Sequence, residues 1–518
     1  MRYFNVSGPC NYRDHYMVEA AKRLKGVEQL IDMNQYFVIH AARQSGKTTY
    51  LKDLARRLNA AGKYYTLDCS LEGLQGVADQ EKGIPQIVRT IKNALRFSRL
   101  PHTADFAQDA DYDDFTGVLL TELTLFCMSL DKPLVLLFDE ADCLSENTLI
   151  SFLRQLRMGY NNRDMAPFVH SIALVGMRNI RDYKAKIRPD SESLGSASPF
   201  NIVTKALTLA NFTRKEIVEL YDQHAAESGQ HFEEGAIDLI LEQSQGQPWL
   251  VNAIAREAII EMLQSDYSKP VTAGLAEQAI QNIVLRRDTH IDSLLERLKE
   301  ARVRKVIEPM ISGEGFTGRL SDDYLYVRDL GLIVETQGGI HPANPIYGEV
   351  IARTLSYDAQ QEILKTRQDS TLPHYLKNGR IDMDFLCTDF QRFWRENSAI
   401  WKEKVRYKEA APHLIFMAFL QRILNGGGNL SREMATGTGR TDLCVLYDGQ
   451  KYPIELKIRR GNKTRAEGLE QITRYMDTLD CAEGWLAIFD QRPEISWDEK
   501  IYLTKETANG KTVTVVGL

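Results

Sequence analysis

Tyr36-Phe37-Val38-Ile39-His40-Ala41-Ala42-Arg43-Gln44-Ser45-Gly46-Lys47-Thr48-Thr49 decides how the first half of this chain folds. Five strand-forming residues run into a polar turn, and from Thr49 to Leu58 the apolar spacing is helical. The turn follows GxxxxGK[ST] with Ala41 in the place of the first glycine, an arrangement that cradles phosphates on backbone N–H groups at a helix N-terminus. Gly46 allows close backbone approach. Lys47 offers a positive charge to the β- and γ-phosphates, and Thr48 offers a hydroxyl to Mg²⁺. Alanine at position 41 requires only that its φ be negative. A second apolar run, Leu134-Val135-Leu136-Leu137-Phe138, delivers Asp139 and Glu140 at a strand end. Asp139 is placed to hold the metal through its water shell and Glu140 to orient or deprotonate an attacking water.

Around this stretch, strand-like runs (Tyr64 to Leu67, Pro133 to Phe138, Ser171 to Val175) alternate with helical ones. Continuous apolar strands between helices predict a largely parallel sheet covered on both faces. From about residue 210 the pattern turns helical: Thr213 to Ser228, Glu233 to Gln243 and Pro248 to Gln264. Residues 296–356 read as helices followed by strand, turn and strand, the pattern of a winged helix. A polar stretch from Lys365 leads to a last domain. The fold class is therefore α/β and multidomain.

The chain has 518 residues, 43% hydrophobic and 26% charged, enough for several domains of ordinary globular composition. No apolar run approaches the roughly 20 residues of a membrane span, and Met1-Arg2-Tyr3-Phe4 does not open a signal peptide. Seven cysteines without a CxxC pair point to a reducing, cytoplasmic setting and against a disulfide framework. Ten histidines form no zinc-ligand spacing, and a GxSxG elbow is missing. Gly437 and Gly439 lack the third glycine of a dinucleotide loop. The net charge of −6 is uneven. Residues 373–518 carry 22 Lys and Arg against 20 Asp and Glu, and the preceding residues carry 42 against 50. Such a split hints at two different tasks.

The phosphate loop and the Asp139-Glu140 strand resemble the AAA+ ATPases, and more narrowly the branch shared with origin-recognition and STAND-type signalling ATPases. The resemblance covers about residues 1–356. It implies an ATPase core over 1–208, a helical lid over 209–295 and a winged helix over 296–364. It also implies ATP with Mg²⁺ as cofactors, and Ala41, Gln44, Ser45, Gly46, Lys47, Thr48, Thr49 and Asp139 as the nucleotide-binding set. Arg178 or Asn179 occupies the position that family uses to sense the γ-phosphate, although a capping turn before Ile180 reads the same residues. Gly246-Gln247-Pro248 looks like the GxP element whose proline approaches the adenine; a helix stop and restart is the plain alternative. Arg154 and Arg157 are arginine-finger candidates for a neighbouring subunit of a homo-oligomer formed through the core, or part of a solvated helix face. The segment around Gly8-Pro9-Cys10-Asn11 and His15-Tyr16 reads most simply as an arm packed on the core.

A second constellation lies near the C-terminus. Gly439-Arg440-Thr441-Asp442 leads into a strand, Asp448-Gly449 turns, and Tyr452-Pro453-Ile454-Glu455-Leu456-Lys457 returns. The hairpin brings Asp442 near Glu455 and Lys457, which are two apart and share a strand face. Two carboxylates and a lysine suit metal-assisted phosphodiester hydrolysis, with Asp442 and Glu455 as metal ligands. Gln471 and Tyr475, at i and i+4, share a helix face. Together these residues look like the PD-(D/E)xK nuclease core, with Thr441 in place of the usual proline and Gln471/Tyr475 as the QxxxY element of its exonuclease-like branch. The resemblance spans about 380–518, after a linker at 365–379. It implies Mg²⁺, or Mn²⁺, at the second site and a nucleic-acid substrate, DNA ahead of RNA. Glu433 is an extra acid on the metal side or a strand-surface residue. Lys451, Arg459, Arg460, Lys463 and Arg465 are a backbone-binding patch or a solvated face.

The leading expectation is an ATPase coupled to a nucleic-acid phosphodiesterase in defence or genome maintenance, without a membrane partner. The alternative is a nucleotide-switched scaffold whose C-terminal domain binds without cutting. A DNA-moving motor ranks last, because no basic channel is legible in the acidic half.

Overall fold

The computed structural model describes residues 1–19, 23–98, 100, 115–176, 203–286, 289–311, 321–336, 339–366, 372–404, 411–424, 429–435, 440–459, 463–492 and 494–518. Two compact units divide the chain, residues 1–282 with 329–331 and residues 283–328 with 332–518.

The first unit contains α1 (Val27–Asp32), β1 (Tyr36–His40), α2 (Lys47–Ala61), β2 (Tyr65–Ser70), α3 (Gln80–Phe97), α4 (Val118–Ser129), β3 (Leu134–Asp139), α5 (Glu146–Asn161), β4 (Ser171–Gly176) and β5 (Val203–Thr208). Its five strands form a parallel sheet in the order β2-β3-β4-β1-β5. Every residue of β1, β3 and β4 is buried. Strands covered on both faces need apolar side chains at every position, which is why these runs do not alternate. Ile84, Ile91, Leu123, Phe138, Phe152 and Leu174 pack on one face, Leu51, Leu54, Val135, Leu137 and Val175 on the other.

A helical group follows: α6 (Arg214–Ser228), α7 (Glu234–Ser244), α8 (Pro248–Arg256), which continues as a π turn to Met262, and α9 (Ala273–Arg286). Thr213 caps α6 in a reciprocal box with Glu216, so two orphan N–H groups of the first turn find acceptors. Between α7 and α8, Gly246 takes φ +69, and a Cβ there would stand 1.9 Å from the Phe212 carbonyl oxygen. Gly246→Ala should therefore lower unfolding stability by about 1–3 kcal/mol or more, read from urea denaturation. An unchanged midpoint would mean that the chain does not pass Phe212 in this way.

The second unit begins with α10 (Thr289–Arg297), α11 (Ala301–Ile311), α12 (Asp322–Asp329), the antiparallel pair β6 (Ile333–Thr336) and β7 (Gly339–Pro342), and α13 (Pro345–Thr366). The helix and the two strands read from the sequence are present. A small pair, β8 (Leu376–Lys377) and β9 (Arg380–Ile381), then precedes α14 (Met383–Lys404) and α15 (Ala411–Leu424). The chain continues through β10 (Asn429–Ala435), β11 (Arg440–Tyr447), β12 (Gln450–Ile458), α16 (Thr464–Leu479), β13 (Glu483–Phe489), β14 (Leu503–Ala508) and β15 (Lys511–Gly517). These six strands form a mixed sheet in the order β10-β11-β12-β13-β15-β14. Strands β12, β13 and β15 run parallel; the others join antiparallel.

One face of that sheet carries an aromatic core from α14 and α15, with Phe390 and Phe416 rings 4.6 Å apart edge-on and Trp394 5.4 Å from Phe489. The other face packs on α16 through Ile472, Met476, Leu486, Ile488, Val513 and Val515. Helix α13 lies along α15, and β7 lies beside β10, so the helical part and the sheet form one body. Among the described residues no helix is long and apolar enough to cross a membrane.

Candidate functional site

The phosphate loop leaves β1 at His40 and enters α2 at Lys47. Gly46 sits at φ +92 and Gln44 at φ +57, a turn that aims successive N–H groups into one concavity. Ala41 is buried and does not take a positive φ, so alanine costs nothing where the motif has glycine. The Lys47 ammonium, only 7% exposed, donates to the Ala41 and Ala42 carbonyls at 3.0 Å each. Burial pushes its pKa down, opposed by the carboxylates of Glu140, Asp142 and Asp139.

Asp139 at the end of β3 accepts from the Thr48 hydroxyl at 2.5 Å. Glu140 follows in the left-handed region at φ +53, with its N–H donating to the Asp139 carboxylate at 3.0 Å. A non-glycine residue held there is strained, and such strain is characteristic of functional turns. Burial raises the Glu140 carboxyl, Lys47 pulls it down, and Asp142 and Asp139 raise it further.

These donors fit a nucleotide with Mg²⁺. Thr48 and Asp139 present a hydroxyl and a carboxylate oxygen side by side, a ligand pair for a hard cation. Within the loop, the Ser45 hydroxyl and the Gln44 side-chain carbonyl are buried with no hydrogen-bond partner among the described residues. Phosphate oxygens and the water shell of the cation are the groups that would satisfy such a cradle.

Thr49 accepts a hydrogen bond from the Cys10 N–H at 3.0 Å, which ties the N-terminal arm to α2. The arm also reaches the helical group: Phe4 and Tyr16 pack with Tyr221 and His224, and the Trp249 indole donates to the Val6 carbonyl at 2.8 Å. It is thus more than a covering for the core. Pro248 is buried at the first position of α8, and the preceding Gln247 caps that helix by accepting from Leu250 at 2.6 Å. Its amide also approaches the Gln44 carbonyl at 3.4 Å.

In the second unit the strand register aligns Glu433 with Asp442 and Asp442 with Glu455, a row of three acidic positions across β10, β11 and β12. The side chains of Glu433 and Asp442 lie outside the described residues. Glu455 is fully buried, and its carboxylate pairs with the Lys457 ammonium at 2.8 Å. Gln471 and Tyr475 are half-buried on α16, which packs on β12 and β13 over the face shared by Glu455, Lys457, Leu486 and Ile488. Among the described residues no group of three His, Cys, Asp or Glu side chains is placed to hold a metal.

His413 on α15 is fully buried beneath this strand end, its ring 5.7 Å from Phe489. Burial, with the Lys457 charge acting the same way, pushes its pKa down to about 3. Below the ordinary value of 6.5 the unfolded chain takes up a proton that the folded chain refuses, so stability is lost as pH falls. The wild type should lose about 2 kcal/mol from this residue between pH 7 and 5. His413→Leu should remove that part, read from urea midpoints at both pH values. An acid limb that is the same in both proteins would show that His413 protonates in the folded state.

The profile of the AAA-like domain family (AAA_35) matches residues 12–349, well over half of the chain. The chain belongs to the AAA-like domain family. A second profile, of a domain of unknown function (DUF8371), matches residues 389–492. Among solved structures, the Walker-type ATPase PABY2304 of Pyrococcus abyssi is 14% identical, covering 67% of this chain and 99% of its own, with a TM-score of 0.47. The Cdc6p protein of Pyrobaculum aerophilum is 14% identical over 65% of this chain and 96% of its own, TM-score 0.36. The Thermotoga maritima RuvB Holliday junction branch migration motor is 16% identical over 61% and 87%, TM-score 0.32. No curated protein matches the chain.

Within the AAA-like domain the loop, Asp139 and Glu140 come together as the spacing predicts, in a P-loop ATPase core built on a parallel sheet. Arg178 and Asn179 lie outside the described residues. Of the arginine-finger candidates on α5, Arg154 is exposed and Arg157 half-buried. Of the basic run of the C-terminal region, Arg460 lies outside the described residues. Lys451 opens β12, Arg459 follows its far end and pairs with Asp490 at 3.5 Å, and Arg465 pairs with Glu506. Sequence reading missed Gln247 as a contact to the loop. Gln before an N1 proline is a helix-start signal, but nothing local points its amide at Gln44.

Proposed function

We propose that the chain binds and hydrolyses ATP in its AAA-like core and cleaves nucleic-acid phosphodiester bonds, DNA ahead of RNA, with a PD-(D/E)xK nuclease-like C-terminal domain. The observation that carries the ATPase half is the Thr48–Asp139 contact beneath Lys47, with Glu140 held at the mouth of the loop. The nuclease half is supported by the acidic row Glu433–Asp442–Glu455 and the Glu455–Lys457 pair on one strand. In this reading residues 1–208 are the core, 209–295 the lid, 296–364 a winged helix and 380–518 the nuclease-like domain, in a cytoplasmic protein whose cores associate.

At the first site Thr48 and Asp139 would hold Mg²⁺, Lys47 would neutralise the β- and γ-phosphates, and Glu140 would take a proton from the attacking water. At the second, Asp442 and Glu455 would hold Mg²⁺ or Mn²⁺. A divalent cation supplies charge neutralisation and an activated water to phosphodiester hydrolysis. Lys457 would steady negative charge developing on the phosphate, and Gln471 and Tyr475 would position the strand being cut.

The test is incubation of labelled linear DNA, circular DNA and RNA with the protein in Mg²⁺, Mn²⁺ or EDTA, with and without ATP. Cleavage that needs the cation and disappears in EDTA is the expected result. ATP hydrolysis without cleavage of any substrate would turn the reading to a nucleotide-switched scaffold. The pairing of Arg459 and Arg465 with acidic neighbours favours that second reading, because it leaves fewer cations for a phosphate backbone.

A further inference from the structure

Arg23 lies thirteen residues before β1, in a stretch where the sequence carries no motif. Its guanidinium nevertheless meets three parts of the first unit. Nη2 donates to the Ser45 carbonyl of the phosphate loop at 2.9 Å. Nε and Nη2 both donate to the Ala210 carbonyl, at 3.1 and 2.5 Å, where the chain leaves the sheet for α6. The same group lies over the Phe212 ring, 4.8 Å from its centroid. A Cβ on Gly46 would come within 3.2 Å of Nη1, so the guanidinium also fills the space behind the loop's turn.

The contacts continue into the helical group. The Phe212 N–H donates to the Gly246 carbonyl at 2.8 Å, and Gln247, next in sequence, reaches the Gln44 carbonyl. Two neighbouring carbonyls of the loop, Gln44 and Ser45, are thus held by donors that are themselves tied to α6 and α8. Loop N–H groups and loop carbonyls belong to the same rigid peptides, so a peptide whose N–H turns toward a phosphate must move the carbonyl on its other side. Arg23 is charged, half-buried and hydrogen-bonded to carbonyls, and burial brings its pKa down to about 10 while the Glu216 charge opposes that. Taking a cation partly out of water is costly unless its donors find acceptors, and here Nε and Nη2 both do.

We propose that Arg23 is a positioning residue that latches the phosphate loop to the hinge of the helical lid, so that nucleotide occupancy and lid position are set together. The proposal rests on the nucleotide-binding reading of the loop for its purpose, although the latch itself is a property of the protein alone. Lysine can carry the charge but gathers its three donors on one nitrogen, whereas the planar fork of arginine spans two carbonyls and stacks on a ring. Phe212 supplies the stacking surface and Ala210 the hinge contact.

The test is hydrogen exchange by mass spectrometry on the full chain, wild type, Arg23→Lys and Arg23→Ala, each alone and with ATP and Mg²⁺. Without nucleotide, Arg23→Ala should speed exchange about fivefold or more in two separate peptides, one over 44–50 and one over 209–217. Arg23→Lys should fold normally and speed the hinge peptide. In the wild type, nucleotide should slow both peptides; in Arg23→Ala and Arg23→Lys it should slow the loop peptide only. Unchanged exchange at the hinge in both variants, or nucleotide protection that still reaches it, would overturn the latch. If nucleotide protects nothing in the wild type, the nucleotide-binding reading fails, while the response of the nucleotide-free peptides to Arg23→Ala still decides the latch.

Discussion

Glu140→Gln is expected to leave ATP binding within a few-fold of wild type while lowering steady-state hydrolysis by about 10²–10⁴-fold, the usual contribution of a positioned general base. The amide keeps the size of the side chain and the left-handed turn at φ +53, but it cannot accept a proton. Binding contacts come from other residues, Lys47, Thr48 and Asp139, so affinity measured with a fluorescent ATP analogue should survive. Lys47→Ala should instead lose both binding and turnover. The pH profile separates the two further. Burial raises the Glu140 carboxyl above the ordinary glutamate value, and a base acts only when deprotonated. The acid limb of kcat therefore lies at higher pH than a surface glutamate would give, with turnover falling as pH drops through the raised pKa. That limb should vanish from the residual activity of Glu140→Gln. Wild-type turnover in Glu140→Gln would assign proton transfer to another group.

The parts of the fold legible in the sequence are those fixed by local pattern. The strand Tyr36 to His40, the helix after Gly46 and the strand Leu134 to Asp139 each carry a continuous apolar run or a helical period, and each forms. The Asp448-Gly449 turn also declared itself, because both residues take positive φ and join β11 to β12. From that turn the cross-strand alignment of Asp442 with Glu455 follows by counting. The Asn509-Gly510 turn between β14 and β15 carries the same signal. What local pattern does not carry is long-range contact. Arg23 meets Ala210 across 187 residues and Trp249 meets Val6 across 243. Neither pairing leaves a periodicity or a spacing behind. The partners of the basic run are hidden for a related reason: β12 separates Lys451 from Arg459 by its whole length, and the acids that pair with Arg459 and Arg465 are Asp490 and Glu506, far along the chain from them.

Lys457→Met should abolish metal-dependent cleavage, by about 10³-fold or more if the lysine offsets charge on the reacting phosphate. Loss of activity alone would not establish that role, because Lys457 also pairs with a carboxylate that has no exposure to water. Removing one member of such a buried pair costs about 3–5 kcal/mol, since the other charge is left in a poor environment. Part of any activity loss could then come from unfolding. The double variant Glu455→Gln with Lys457→Met resolves this. It removes both charges together, so its urea midpoint should lie closer to wild type than that of Lys457→Met. Its cleavage should nevertheless stay at background, because the carboxylate and the ammonium are both gone from the strand. ATP turnover should be the same in all three proteins. Cleavage restored along with stability in the double variant would show that the pair serves only the fold, and that phosphodiester hydrolysis, if present, is carried elsewhere in the chain.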